Sequence, residues 1–173
     1  MQRRTLLVSL AAIGCQSAPA PNATSVVQQF YRTVIADSVS GAPTQKQLAD
    51  VSPYLSDTLK SLLVAVRKRN DADVSRAPDE KPSFAEGDLF SSLFEGPNAA
   101  EVIADSARGP ARVATVRMTY TGATPAVTWT DRVVLVLQNG HYVIDDIEYG
   151  GTWDFATKGT LKSTLGAALA ASQ

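Results

Sequence analysis

The chain lacks most of what an enzyme sequence usually displays. It has one cysteine and one histidine in 173 residues. One cysteine cannot close an intramolecular disulfide, and one histidine without a cysteine or carboxylate cluster does not make a zinc site. No G-x-S-x-G elbow, Walker loop or dinucleotide-binding loop occurs, so the common nucleophile and phosphate-cradling devices are missing. Charge of one sign is missing too: 16 basic residues face 17 acidic ones. That balance gives no electrostatic footprint for nucleic acid. No apolar run approaches the ~20 residues that span a bilayer as a helix. We therefore expect neither a metal nor another cofactor, and no nucleic-acid partner.

What is present begins at the start of the chain. Arg3 and Arg4 form a short cationic region, and Leu6 to Ile13 an apolar run broken only by Ser9. The run is too short for an anchor and reads as the core of a signal peptide. Ala12-Ile13-Gly14 then leads into Cys15. Small residues before a cysteine at this place resemble the lipobox of bacterial lipoproteins, with alanine at position 12 where leucine is usual. The competing reading is a plain secretory signal with an incidental thiol. On the lipoprotein reading Cys15 is acylated, residues 1–14 are removed, and residues 15–23, small and proline-containing, tether a single domain of residues 24–173. Gln16 in place of aspartate implies, by the same resemblance, the periplasmic face of the outer membrane. "QRRTLLV" loosely resembles a twin-arginine export signal, which leaves the export route open. Loss of two arginines with the leader takes the net charge from −1 to −3. The remaining chain suits one domain with a sizeable core.

Val26, Val27, Phe30, Tyr31, Val34 and Ile35 recur at helical spacing and predict an amphipathic helix. "SVSGAPT" breaks it. Ser52-Pro53 reads as a cap with proline at the first helical position, followed by the stripe Leu55, Leu59, Leu62, Leu63 and Val66. "RKRNDADVSRAPDEKPS" interleaves acids with bases, as a solvated helix end and loop does. From residue 99 the period changes to that of strands: "AEVIADSA", "ARVATVRMTY", "AVTWTDRVVLVLQ" and "HYVIDDIEYG". Asn139-Gly140 predicts a tight hairpin between the last two. A short alanine-rich helix is expected over Thr160 to Ala171.

Helices followed by sequential antiparallel strands make an α+β domain with helices on one face of the sheet. The pattern resembles the nuclear transport factor 2-like (cystatin-like) fold, in which a curved sheet of about four strands wraps N-terminal helices into a cone. "VVQQFYRTV", "SPYLSDTLKSLL" and "NGHYVIDDIEYG" resemble the bacterial lipoprotein family known as domain of unknown function 3828. That fold hosts isomerases, dehydratases and non-catalytic binders, so it does not decide function.

Strand alternation selects the site candidates. Val127, Trp129, Asp131, Val133, Leu135 and Leu137 share one face, which puts Asp131 in an apolar stripe. Ala114, Val116, Met118 and Tyr120 share another face. Tyr142, Ile144, Asp146 and Glu148 share a third, and Asp146 is expected inward. An inward carboxylate is costly unless it is bonded, paired or in a cavity. The candidate pocket is Tyr31, Tyr120, Trp129, Asp131, Tyr142 and Asp146. Structural pairing of the aspartates, with Arg32, Arg112, Arg132 or backbone amides, is weighed above ligand binding and catalysis. Two functional classes follow. One is a non-catalytic envelope lipoprotein that binds a small ligand, a peptide or a protein. The other is a small isomerase- or hydrolase-like enzyme with Asp131 or Asp146 as general base. A cone filled by side chains favours protein interaction; an enclosed cavity with an unpaired carboxylate favours a ligand or substrate.

Overall fold

The computed structural model describes residues 22–82 and 84–171; Cys15, the leader and most of the tether lie outside the described residues. Helix α1 spans Ala23–Ala36, capped by the Asn22 side chain accepting from the Ser25 N–H. Its stripe is buried as the spacing requires, with Val27 and Phe30 at 0% exposure. Helix α2 covers Gln45–Val51 and opens on a reciprocal capping box between Thr44 and Gln47. The sequence reading missed this helix, which is short and buries only Val51 among its residues. Ser52-Pro53 does not open the long helix. Ser52–Tyr54 is a 3-10 turn that holds Pro53, and α3 starts four residues beyond that proline, spanning Asp57–Arg76 with Ser56 as its cap. Ser56 accepts from the Leu59 N–H at 3.1 Å, which satisfies a helix-start donor that Pro53 has no means of satisfying.

The second half is a four-stranded antiparallel sheet in sequential order: β1 (Ala99–Arg108), β2 (Ala111–Tyr120), β3 (Val127–Gln138) and β4 (His141–Glu148). Helix α4 (Leu161–Ala170) follows. Asn139 and Gly140 take φ of 53° and 80°, the left-handed pair that a two-residue hairpin demands. Helices α1, α3 and α4 all contact the sheet. The core face of the sheet is Ala114, Val116 and Met118 from β2, Val133 and Leu135 from β3, and Ile144 and Ile147 from β4, all at 0% exposure. Phe30, Tyr31, Leu59, Leu63, Leu161 and Leu165 fill the space above it. At ~25 cal/mol per Å² of apolar surface, this burial is the main stabilising term of the fold.

The alternation on β2 and β3 matches the sequence reading. On β4 it fails. Val134 pairs with Asp146 and Leu135 with Ile144, so Asp145 is an extra residue in a β-bulge. The bulge resets the pleat, and Ile144 and Ile147 both face the core although their spacing is odd. Asp146 is thereby placed opposite Val134, on the outer face, and is not the inward acid that strict alternation predicts.

Candidate functional site

The inward carboxylate is that of Asp131, which is 0% exposed. It is met by the segment Asp88–Leu93, which crosses between α3 and β1, and by the Gly150-Gly151 pair after β4. Oδ2 accepts from the Ser92 N–H at 2.9 Å and the Trp129 Nε1–H at 3.0 Å. Oδ1 accepts from the Gly150 N–H at 2.8 Å and from the Ser92 hydroxyl. The Ser92 oxygen accepts in turn from the Gly151 N–H at 3.0 Å. Four neutral donors therefore share the charge, and none of Arg32, Arg112 or Arg132 does so. Arg112 pairs with Asp105, and Arg132 with Glu148; Arg32 is exposed.

Glycine is required at this meeting point. A Cβ on Gly150 would fall far inside van der Waals contact of the Thr130 carbonyl oxygen, and one on Gly151 would lie 2.8 Å from Ser92 Cβ. Two tyrosines tie down the same crossing segment: Tyr31 donates to the Phe90 carbonyl at 3.0 Å, and Tyr149 to the Leu89 carbonyl at 2.6 Å. Burial first, and the nearby Asp88 and Asp131 charges second, push both hydroxyls above their usual range, so both remain protonated donors.

Asp88 opens the crossing segment. It accepts from the Phe90 N–H and the Ser91 hydroxyl, each at 2.7 Å. Although part of it faces a groove of about 340 Å³ lined also by Val34, Ser40 and Glu95, burial of its carboxyl dominates. It raises the pKa to about 6, against the lowering effect of those two bonds and with a further push from Asp131. The sequence reading passed over Asp88, Ser91, Ser92 and the glycine pair. The legible signal was Gly150-Gly151 directly after a strand, which marks close backbone approach.

The six pocket candidates do not form one pocket. Tyr31, Trp129 and Asp131 converge around the crossing segment, and they are 1%, 6% and 0% exposed. A cavity able to hold even a water would leave accessible area on its walls, so none opens onto Asp131 or, to within 1%, onto Tyr31. Trp129 meets Trp153 edge-on at 5.9 Å, and Trp153 meets the exposed Phe155 at 6.2 Å. Tyr120 is half-buried near the end of β2. Tyr142 lies at the other end of the sheet, where it pairs with Leu137 across the last hairpin. Asp146 lies apart from all of them. Its Oδ1 accepts from the Lys162 N–H in the first turn of α4 at 2.9 Å. Its neighbour Asp145 accepts from the Ser56 hydroxyl at 2.8 Å and pairs with Lys162 at 2.7 Å. The two acids of "IDDI" thus serve two helix starts, where a negative charge is favoured by the helix dipole.

His141 is exposed and borders a groove of about 380 Å³ with Pro53, Tyr54 and Tyr142. Among the described residues no group of three His, Cys, Asp or Glu could hold a metal, and no helix is long and apolar enough to cross a membrane.

An α+β domain with a filled core and a buried carboxylate ring is the class that the fold and site define. The chain is similar to the uncharacterized lipoprotein YbjP of Escherichia coli strain K12, 29% identical over 143 residues that cover 82% of this chain and 74% of that protein. This distant likeness supports a bacterial lipoprotein and agrees with the leader and cysteine of the sequence. No family model matches the chain, and no solved structure does.

Proposed function

We propose that this chain is an envelope lipoprotein, acylated on Cys15 and held at the periplasmic face of the outer membrane, whose domain is a non-catalytic binding module acting through its surface. The observation that carries the reading is the Asp131 ring: the carboxylate best placed to act as a base inside the fold is fully buried and bonded by four donors. A general base must reach the proton that it abstracts, and Asp131 reaches only the groups that hold it. Asp146, the other candidate base, is spent on the start of α4. This weighs against the isomerase- or hydrolase-like alternative and against a small ligand held in the interior. A protein or peptide of the envelope is the partner class that fits a filled domain on a lipid tether.

Membrane fractionation of the Cys15→Ala variant tests the anchor. Two acyl signals give stable attachment where one is marginal. The variant is expected in the soluble periplasmic fraction or unprocessed. A variant that stays in the membrane fraction at the normal mature mass contradicts the anchor.

A further inference from the structure

The described domain has a polarity along its strands. The hairpin turns Gly109-Pro110 and Asn139-Gly140 lie at one end of the sheet, because β1 pairs with β2 up to Arg108–Ala111 and β3 with β4 up to Gln138–His141. Helix α1 starts at that same end. Thr24 contacts Asp105 near the close of β1, and Val26 and Gln29 border the groove that His141, Tyr142 and Val143 also line. The exposed aromatics Phe94 and Phe155 lie at the opposite end, beside Ser92, whose carbonyl accepts from the Thr157 N–H.

Six residues separate Cys15 from Asn22, and the seven steps of chain between those two reach at most about 25 Å. A ten-residue strand such as β1 spans about 33 Å. The tether is therefore shorter than the domain, and it holds the α1-start end near the lipid. That end carries Leu137, an apolar side chain 61% exposed two residues beyond the fully buried Leu135 of the same strand. Leu137 pairs with Tyr142 across the hairpin, and Tyr54 and Pro53 stand on the other wall of the groove. Tyrosines with an apolar body and a polar tip are the side chains favoured at a membrane–water boundary. The acids of this end are neutralised: Asp57 pairs with Lys60 and Asp105 with Arg112. A tethered surface needs little intrinsic affinity, since the linker sets a high local concentration.

We propose that the end of the domain bearing Leu137, Tyr54 and Tyr142 rests on the lipid surface and leaves the Phe94–Phe155 end facing away from the membrane. The placement rests on acylation of Cys15, as proposed above.

The lipidated protein, with Cys15 blocked by its own acyl group, takes a single new thiol in Leu137→Cys or in Phe155→Cys. Each is labelled with an environment-sensitive fluorophore and reconstituted into phosphatidylcholine vesicles that contain brominated lipid. His141→Cys, at an exposed hairpin position, serves as the second reporter should Leu137→Cys fold poorly. The label at 137 or 141 is expected to be quenched by the brominated lipid at least twofold more than the label at 155. Equal quenching at both ends, or stronger quenching at 155, overturns the placement. Shielding at 137 that rises with the protein-to-lipid ratio and ignores the bromines assigns the surface to a second copy instead, and also overturns it. Intact-mass measurement of the same samples separates the two claims. An acylated chain that shows no difference between the ends refutes the placement alone, whereas an unacylated Cys15 refutes the anchor and the placement together.

Discussion

Replacing Asp131 by asparagine keeps the shape of the side chain and changes only what it accepts. Oδ1 and Oδ2 each take two donors. If the new amide nitrogen replaces Oδ2, it meets the Ser92 N–H and the Trp129 Nε1–H, two donors without an acceptor. If it replaces Oδ1, the Ser92 hydroxyl rotates to accept from it, and the Gly150 N–H and the Ser92 proton lose their acceptor, of which only the N–H is fixed in direction. The second orientation costs less. A buried unsatisfied donor costs ~1–3 kcal/mol, and removal of the buried charge offsets part of that. We therefore expect Asp131→Asn to lose ~1–2 kcal/mol. Asp131→Ala orphans all four donors and leaves a void, and should lose ~4 kcal/mol or more, a large share of the ~5–15 kcal/mol of a typical domain. Urea denaturation followed by tryptophan fluorescence reads both variants, since Trp129 is a member of the ring. An Asp131→Asn variant as stable as the parent, or more stable, would refute the reasoning. It would mean that the carboxylate is retained at a net cost, as a functional group is and a structural one is not.

Three further outcomes follow from the same geometry. Gly150→Ala must push the loop off the Thr130 carbonyl, and should cost more than ~2 kcal/mol by opening the Asp131 ring; a loss under ~0.5 kcal/mol, ordinary for a surface site, contradicts the close approach. Asp88 has its pKa raised by burial to about 6, so between about pH 4 and 6 the folded state binds more protons than the unfolded one. Stability should fall as pH rises through that window, by ~3 kcal/mol for a rise of about two pKa units, and Asp88→Asn should flatten this slope in pH-dependent denaturation; an unchanged slope assigns it to other groups. Asp145→Ala and Asp146→Ala should each lose ~0.5–2 kcal/mol in chemical denaturation, the scale of a lost helix cap, because each acid serves a different helix start; a neutral Asp146→Ala would contradict its role at α4.

The sequence carried the sheet well because its signals are local. Asn139-Gly140 allows one turn type, and the apolar alternation of β2 and β3 needs no distant information. It carried α1 for the same reason. It failed at Asp145, because a bulge is a choice of register between two strands and leaves no trace in the alternation of one. It mistook Ser52-Pro53 for a helix start because Ser56 competes for the cap, and Ser56 is held there by Asp145, 89 residues away. Asp131 was legible as an inward acid, since a charge in an apolar stripe must be satisfied somehow. Its partners were not. Ser92 is 39 residues distant and Gly150 is 19, and the arginines weighed for the role pair with Asp105 and Glu148 on other parts of the sheet. The grouping of Tyr142 with Tyr31 failed because strand parity gives a face and not a position along the strand, and that of Asp146 failed because the bulge turned it to the other face.

The central claim is that a lipid-anchored domain with a filled interior acts through its surface. Native mass spectrometry of the protein gently extracted from its own envelope tests it most directly. The account predicts a chain beginning at an acylated Cys15, with no small molecule retained in its interior. A stoichiometric small molecule that survives extraction and is lost in Asp131→Asn would contradict it.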